Sequence, residues 1–472
     1  MNLYENLRSY STSGIYPMHM PGHKRNPALQ MENPYGWDVT EVEGTDNLHH
    51  PSGVIRELLD RMKLVYGTEE SRLLVNGSTS GVLTAISSCA RRGDTILMDR
   101  NCHRSVYHAV YLLELDPVYL YPETDETTGI ALGIRKEQAE EALDRHPEAV
   151  CAIVTSPTYE GVLSDVEGIA ACTHENGIPL IVDEAHGAHF PWGHRIWQDI
   201  PESAIRQGAD LVVQSLHKTL PALTQTAVLH RCSDRVDPEQ IQRYLDIYET
   251  SSPSYVLMAS AAQCMEWMER ESKKGFKQFR ECWQTFCRQA KEWKCLSLWE
   301  RQGKDPTKLV IQSGPLTGRG LSAILREKYQ IQVEMEGAGY VLAMTSICDT
   351  EKGWQQFAAA LTEIDRSLWQ SGETMPERQK KLSCNVPIPA GTKRKTLYEA
   401  LHCPHRSVSL ADSLGKTAAE YAFIYPPGVP FLVPGEEITS EVLEQICQAQ
   451  EGRLNLMGLK DETGKSIRIC DE

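Results

Sequence analysis

Three short stretches hold residues whose types and spacing suit chemistry on a single ligand. Asn76-Gly77-Ser78-Thr79-Ser80-Gly81 separates the apolar run SRLLVN from the apolar run VLTAISSCA. A turn of this kind aims backbone N–H groups and hydroxyls at one point, and the helix start behind it favours a phosphate. Asp183-Glu184-Ala185-His186 closes the apolar run IPLIVD. A carboxylate there needs a cation or a donor, and a protonated pyridine nitrogen would serve. Ser215-Leu216-His217-Lys218-Thr219 follows DLVVQ. An amine lodged among apolar strand ends can lose its proton and attack an aldehyde.

Each stretch also has an ordinary explanation: a Ser/Thr helix cap, an aspartate capping a turn, a surface lysine. The first lacks the lysine of a Walker A loop and the glycine spacing of a dinucleotide fingerprint. Taken together they supply a phosphate cup, an acid for a ring nitrogen and a lysine for an aldehyde. Those are the three partners that pyridoxal phosphate needs, and their coincidence favours one shared site.

The elements that must position these residues are short strands alternating with helices between about residues 71 and 230. SRLLVN (71–76), DTILMD (94–99), AVCAIVT (149–155), IPLIVDE (178–184), DLVVQS (210–215) and TAVLH (226–230) read as strands of a mostly parallel sheet wrapped by helices. In such sheets ligands bind beyond the carboxyl ends of strands, where all three motifs fall. Residues 254–298 have helical composition and carry Trp267, Phe276, Phe279 and Trp283, whose spacing suits core packing. KLVIQ, a helix through GLSAILREKY, the strands IQVEME and YVLAMTS, and a helix to about Gln370 make a small α+β unit. The polar stretch SGETMPERQKK (371–381) reads as a linker. The expected divisions are an N-terminal arm over 1–60, a large domain over 61–298, a small α+β domain over 299–372 and a C-terminal domain over 373–472.

The chain has 472 residues, 41% of them hydrophobic and 24% charged, as a soluble globular protein should, and its formal charge of -16 argues against nucleic acid as a partner. The 14 cysteines include no C-x-x-C pair, so neither a disulfide framework nor a zinc site is expected, and no metal is assigned. The N-terminus MNLYENLRSYSTSGIY lacks the apolar core of a signal peptide, and no apolar stretch is long enough to span a membrane. A cytoplasmic location is expected.

The residues around the three motifs resemble the Orn/Lys/Arg decarboxylase family. The resemblance rests on PGHKRN (21–26), DVTEVEGTDNLHHPSGVI (38–55), NGSTSG (76–81), RNCHRSVYHA (100–109), SPTYEGVLSD (156–165), DEAHGAHF (183–190), SLHKTLPALTQ (215–225), SSPSYVLMAS (251–260) and YPPGVPFLVPGEE (425–437). It implies an α/β protein with an aspartate-aminotransferase-like large domain of PLP fold type I, a small α+β domain and a C-terminal domain typical of these decarboxylases. It further implies pyridoxal phosphate as cofactor and conversion of lysine, arginine or ornithine to its amine and carbon dioxide, with polyamine synthesis the family role.

Carried over residue by residue, the resemblance gives Lys218 the cofactor aldehyde and Asp183 the pyridine nitrogen. Ser78, Thr79 and Ser80 would bind the phosphate, with Ser215 and His217 nearby. His103 would stack on the ring and His186 would lie beside its phenolic edge. His217 and Lys218 are both candidates to return a proton to Cα. For the distal cation of the substrate the acidic candidates are Asp46, Glu436 and Glu437, with Glu41 and Glu43 beside them. His49 and His50 read as packing or substrate-channel residues rather than metal ligands, since no matching carboxylate spacing accompanies them, and His189 carries no assigned role. Asn26, Ala262 and Lys416 depart from residues common in the family and put local contacts there in doubt. The likeness is to the shorter Gram-positive type, without a receiver-like domain, and implies a homodimer or dimer-based oligomer whose active sites are shared between chains. Two other readings stay open: an aminotransferase, with Arg319 or Arg326 clamping the α-carboxylate, and a non-catalytic protein that binds the cofactor.

Overall fold

The computed structural model describes residues 2–29, 33–372, 389, 391–425, 428–451 and 454–471. The 371–381 linker expected from sequence lies outside them from residue 373 onward, as do Pro426 and Pro427 of the C-terminal signature. After β1 (Tyr16–Met18) come the strands of the main sheet: β2 (Glu70–Leu74), β3 (Thr95–Asp99), β4 (Asp116–Leu120), β5 (Ala152–Thr155), β6 (Leu180–Asp183), β7 (Leu211–Ser215) and β8 (Ala227–Arg231). They lie in the order β2-β8-β7-β6-β5-β3-β4. All run parallel except β8, which is antiparallel to both β2 and β7.

Six of these strands follow the sequence reading. The seventh, β4, was not expected: Asp116 and Pro117 open it, Val118 and Leu120 pack toward one core and Tyr119 toward the other. Pro117 is tolerated because β4 pairs only with β3, at the edge of the sheet. The central strands are apolar on both faces. Leu97, Val154, Val182, Val212 and Val228 join one core, and Ile96, Ile153, Ile181, Val213 and Leu229 the other, as the two-residue strand period requires.

The long connection is one 36-residue helix, Tyr255–Ala290, opened by the Ser254 side chain accepting from Leu257 N–H at 3.3 Å. It buries Met258, Met265, Met268, Phe276, Phe279 and Phe286, and packs along the helix Glu351–Ser371, where Phe286 stacks on Phe357. The sequence IQVEME divides between two sheets. β11 (Ile331–Val333) pairs in parallel with β1, whereas β12 (Met335–Glu336) joins β13 (Tyr340–Met344), β10 (Lys308–Gln312) and β9 (Ser297–Trp299). Glu334, at the division, turns its carboxylate to Met20 N–H. Further along, β14 (His405–Ser409) pairs with β18 (Ser466–Cys470), while β15 (Ala422–Ile424) lies between β16 (Pro430–Leu432) and β17 (Leu456–Met457). A separate apolar core fills this part. Among the described residues no helix is long and apolar enough to cross a membrane, and the described cysteines are all free.

Candidate active site

The carboxyl ends of β6 and β7 bring Asp183 and Lys218 together. Asp183 ends β6 and Ser215 ends β7; the chain then makes one short helix, Leu216–Thr219, that carries Lys218 back over the sheet. The turn is held from outside by the PGHKRN loop. Gly22 N–H donates to His217 O at 2.7 Å, and a β-carbon at Gly22 would stand 2.7 Å from the Thr219 carbonyl carbon, so only glycine fits. Ser346 donates to Gly22 O and ties the loop to the small unit.

Lys218 Nζ lies 3.0 Å from His186 Nε2. Burial lowers the pKa of Lys218, and the Asp183 carboxylate works against that. Burial raises the Asp183 carboxyl, opposed by Lys218 and by the Ala185 N–H that reaches Oδ1 at 3.1 Å. His186 is buried, and its pKa falls well below the ordinary histidine value through loss of water and the nearby lysine cations. His217 Nδ1 sits 3.0 Å from Thr226 O, an atom that can only accept, so Nδ1 carries the hydrogen and Nε2 the lone pair. Burial brings its pKa down to about 4. His103 caps the helix Arg104–Leu112 through Ser105 N–H; desolvation of its ring by the packed protein, with the Lys218 cation, lowers its pKa.

Several buried polar atoms here have no protein partner: His186 Nδ1, Ser215 Oγ, Thr219 Oγ1 and Thr155 Oγ1. Thr155 pairs with Asp183 across the β5–β6 ladder. Buried polar atoms are rarely left unpaired, so this cluster fits a polar ligand held over the strand ends. With the amine of Lys218 and the carboxylate of Asp183 alongside, the donor set fits pyridoxal phosphate.

At the phosphate cup Gly77 takes φ +77° and starts the helix Gly77–Cys89, with Ser78 and Thr79 open in its first turn. Ser80 faces the other way. It is buried, and its hydroxyl lies between Gly77 O, at 2.8 Å, and Glu249 Oε1. Glu249, which the sequence did not single out, also accepts from Val75 N–H at 3.0 Å and Asn76 N–H at 3.1 Å.

The acidic candidates for the substrate have other work. Asp46 accepts from the N–H groups of Asn47, Ser52, Gly53 and Ile55 at 2.8–2.9 Å, closing the turn before the helix Val54–Tyr66. Burial would raise its pKa, but these N–H groups outweigh that and hold it at about 2. Glu436 is buried against Arg100 at 3.0 Å, and Glu437 pairs with Arg394 at 2.7 Å. Glu41 and Glu43 are exposed on the arm. Of the two arginines weighed as carboxylate clamps, Arg319 and Arg326 are both exposed, and Arg326 faces Glu327. His189, without a role from sequence, is buried 3.2 Å from Asp305, which also pairs with buried Lys308 at 3.2 Å. His49 bonds to Asp246 and to Thr250 O.

Residues 1–301 match the family model described as Orn/Lys/Arg decarboxylase, major domain, and residues 376–464 match Orn/Lys/Arg decarboxylase, C-terminal domain. The chain is 30% identical to an arginine decarboxylase of Bacillus subtilis, over 100% of this chain and 98% of the relative. It is 34% identical to the protein YaaO of the same organism, over 97% and 95%. Among solved structures, the constitutive lysine decarboxylase of Escherichia coli shares the fold with a TM-score of 0.76 at 21% identity, over 99% of this chain and 81% of that one.

Proposed function

The chain belongs to the Orn/Lys/Arg decarboxylase family, and from that premise we propose how its strand-end residues carry out pyridoxal-phosphate-dependent decarboxylation of a basic amino acid. The observation that carries the reading is the placement of Lys218 Nζ, 3.0 Å from His186 Nε2 and facing the buried Asp183.

When bound, pyridoxal phosphate would supply an electron sink for the pair freed as the bond from Cα to the carboxylate breaks. Asp183 keeps the ring nitrogen protonated; a carboxylate raised by burial gains most from a cation beside it. Ser78 and Thr79, with the helix start behind them, bind the phosphate. His103 would cover one face of the ring, and Ser215 and His186 have unpartnered buried atoms that would meet its polar edges. Lys218 would hold the cofactor aldehyde through its amine. It also returns the proton to Cα. His217 is the weaker candidate for that step, because its Nε2 is unprotonated near neutral pH.

Arginine is the first substrate to test, since full-length relatives at 30% identity bear the name arginine decarboxylase. With Asp46, Glu436 and Glu437 engaged within this chain, Glu41 and Glu43 are the acids of that set left to meet a distal cation. We further propose a cytoplasmic enzyme of polyamine synthesis, working as a homodimer or dimer-based oligomer. Association is supported by the exposed apolar side chains of the arm, Leu3, Tyr4, Leu7, Tyr35, Val39 and Val42.

The test is carbon dioxide release from cofactor-loaded protein given arginine, lysine, ornithine or a neutral amino acid, beside Lys218→Ala. Release from one basic substrate, lost in the variant, is expected. Keto-acid-dependent amine transfer without carbon dioxide would overturn the assignment.

A further inference from the structure

Two thiols remote in sequence meet where the C-terminal core joins the large domain. β14 and β18 pair with His405 opposite Cys470, and Asp471 N–H donates to Pro404 O at 2.8 Å, so residues 403–405 run beside 470–471. Cys403 has extended backbone, at φ -71° and ψ 156°, and stands two residues before His405; the two-residue strand period sends its side chain to the face that Cys470 uses. On that face both sulfurs reach one carbonyl oxygen, Ala400 O, Cys403 at 3.3 Å and Cys470 at 3.7 Å. The thiols also hydrogen-bond to each other. With Ala400 and Ala419 they form a small apolar cluster in which Cys470 is buried and Cys403 half-buried.

We propose that Cys403 and Cys470 are a reversible dithiol–disulfide site, closed by a small disulfide such as oxidised glutathione and reopened by a thiol reductant. Cys403, as the thiolate, attacks one sulfur of the oxidant and expels the other as a thiolate. Cys470 then gives up its proton, attacks the Cys403 sulfur and expels the second thiolate. Two protein thiols are thereby oxidised to one disulfide, the oxidant is reduced to two thiols, and the two protons pass to the departing thiolates. Burial raises the Cys470 thiol, which leaves the first attack to the more accessible Cys403. The bond would clamp two units together. The helix Leu397–His402, which ends at Cys403, lies against the large domain: Leu397 shares a core with Val106 and Val110, and Tyr398 and His402 pack on Tyr111. β18 belongs to the C-terminal core through Ile467 and Ile469. Closing the pair would therefore tie that core to the elements packed on the helix Arg104–Leu112, whose cap is His103.

The purified, cofactor-loaded chain would be equilibrated with reduced and oxidised glutathione at a series of ratios, its free thiols blocked and its peptides mapped without reduction, beside Cys403→Ser and Cys470→Ser. The expected result is a cross-linked peptide joining Cys403 to Cys470, whose yield follows the glutathione ratio and vanishes with dithiothreitol. The thermal unfolding midpoint of the oxidised wild-type chain should stand at least about 3 °C above that of the reduced chain, a difference lost in both variants. Cys470→Ser should stop at a glutathione adduct on Cys403, and Cys403→Ser should leave Cys470 unmodified. A glutathione adduct that persists on wild-type Cys403 without the cross-link, or a cross-link from Cys403 to another cysteine, would overturn the site. A correct cross-link with an unmoved midpoint would overturn the clamp. Should serine at the buried position 470 prevent folding, Cys403→Ser, at the more open position, still supplies the control.

Discussion

In the proposed reaction Asp183 and Lys218 divide the chemistry between two adjacent strand ends, and each makes a separate demand on its surroundings. Asp183→Asn keeps the shape but not the charge that holds the ring nitrogen protonated. It should lower kcat by about 10²–10⁴ with cofactor still bound, as stopped-time carbon dioxide assays would show. His217→Asn should cost far less than Lys218→Ala if, as proposed, the lysine returns the proton to Cα; equal losses would reverse that assignment. Asp46 is a structural prediction. Its pKa of about 2 in the folded chain lies below its ordinary 3.8. The stability it contributes is complete above that ordinary value and lost as pH falls through about 2. Asp46→Ala should cost about 1–2 kcal/mol in urea denaturation near neutral pH, as the loss of a cap does, with the difference shrinking in acid. The strand-end motifs were legible in sequence because each joins a carboxylate, lysine or hydroxyl to an apolar run within a few residues. Ser80 and Glu436 were not, since their partners lie 169 and 336 residues away. Nothing local marked Asp46 as a cap, because the N–H groups it accepts follow a left-handed turn at φ +68°.

At the scale of elements, the turn carrying Lys218 is fixed from two sides. The PGHKRN loop presses Gly22 on it, and the turn after β6 leads through His186 to His189 and so to Asp305 and Lys308. Asp305 neutralises a lysine that is wholly buried. Asp305→Asn should therefore destabilise the protein by about 3–5 kcal/mol, the usual cost of leaving a buried charge without its partner, read as a shift in the denaturation midpoint. A shift below about 1 kcal/mol would mean that Lys308 finds another partner or loses its proton. The apolar central strands and the long helix could be read from sequence, since burial on both faces and a helical apolar stripe leave local signals. β4 and the division of IQVEME could not. An edge strand begun by Asp-Pro reads as a turn, and β11 takes its partner from the far end of the chain, at Tyr16–Met18.

The molecule as a whole is drawn together by pairs remote in sequence, and its arm carries exposed apolar side chains. If the arm is an interface, replacing Leu3 and Leu7 with glutamate should shift the protein toward monomers in sedimentation and lower its specific activity. An unchanged mass would place the interface elsewhere. Arg100 is fully buried, with its guanidinium bonded to Tyr107, Pro430 O and Glu436. Asp99, the residue before it, ends β3 and reaches Thr155 N–H beside the Asp183 strand end. Burial lifts Asp99 to about 7. A single dipeptide thus faces the strand ends of the candidate site with one side chain and the C-terminal unit with the next. That arrangement limits modular exchange. A chimera that grafts the C-terminal segment of a distant relative onto this chain must bring a carboxylate to the position of Glu436, or replace Arg100 as well. Otherwise it inherits an uncompensated buried cation next to the candidate site, so position 436 is where the compatibility of donor and recipient would be decided.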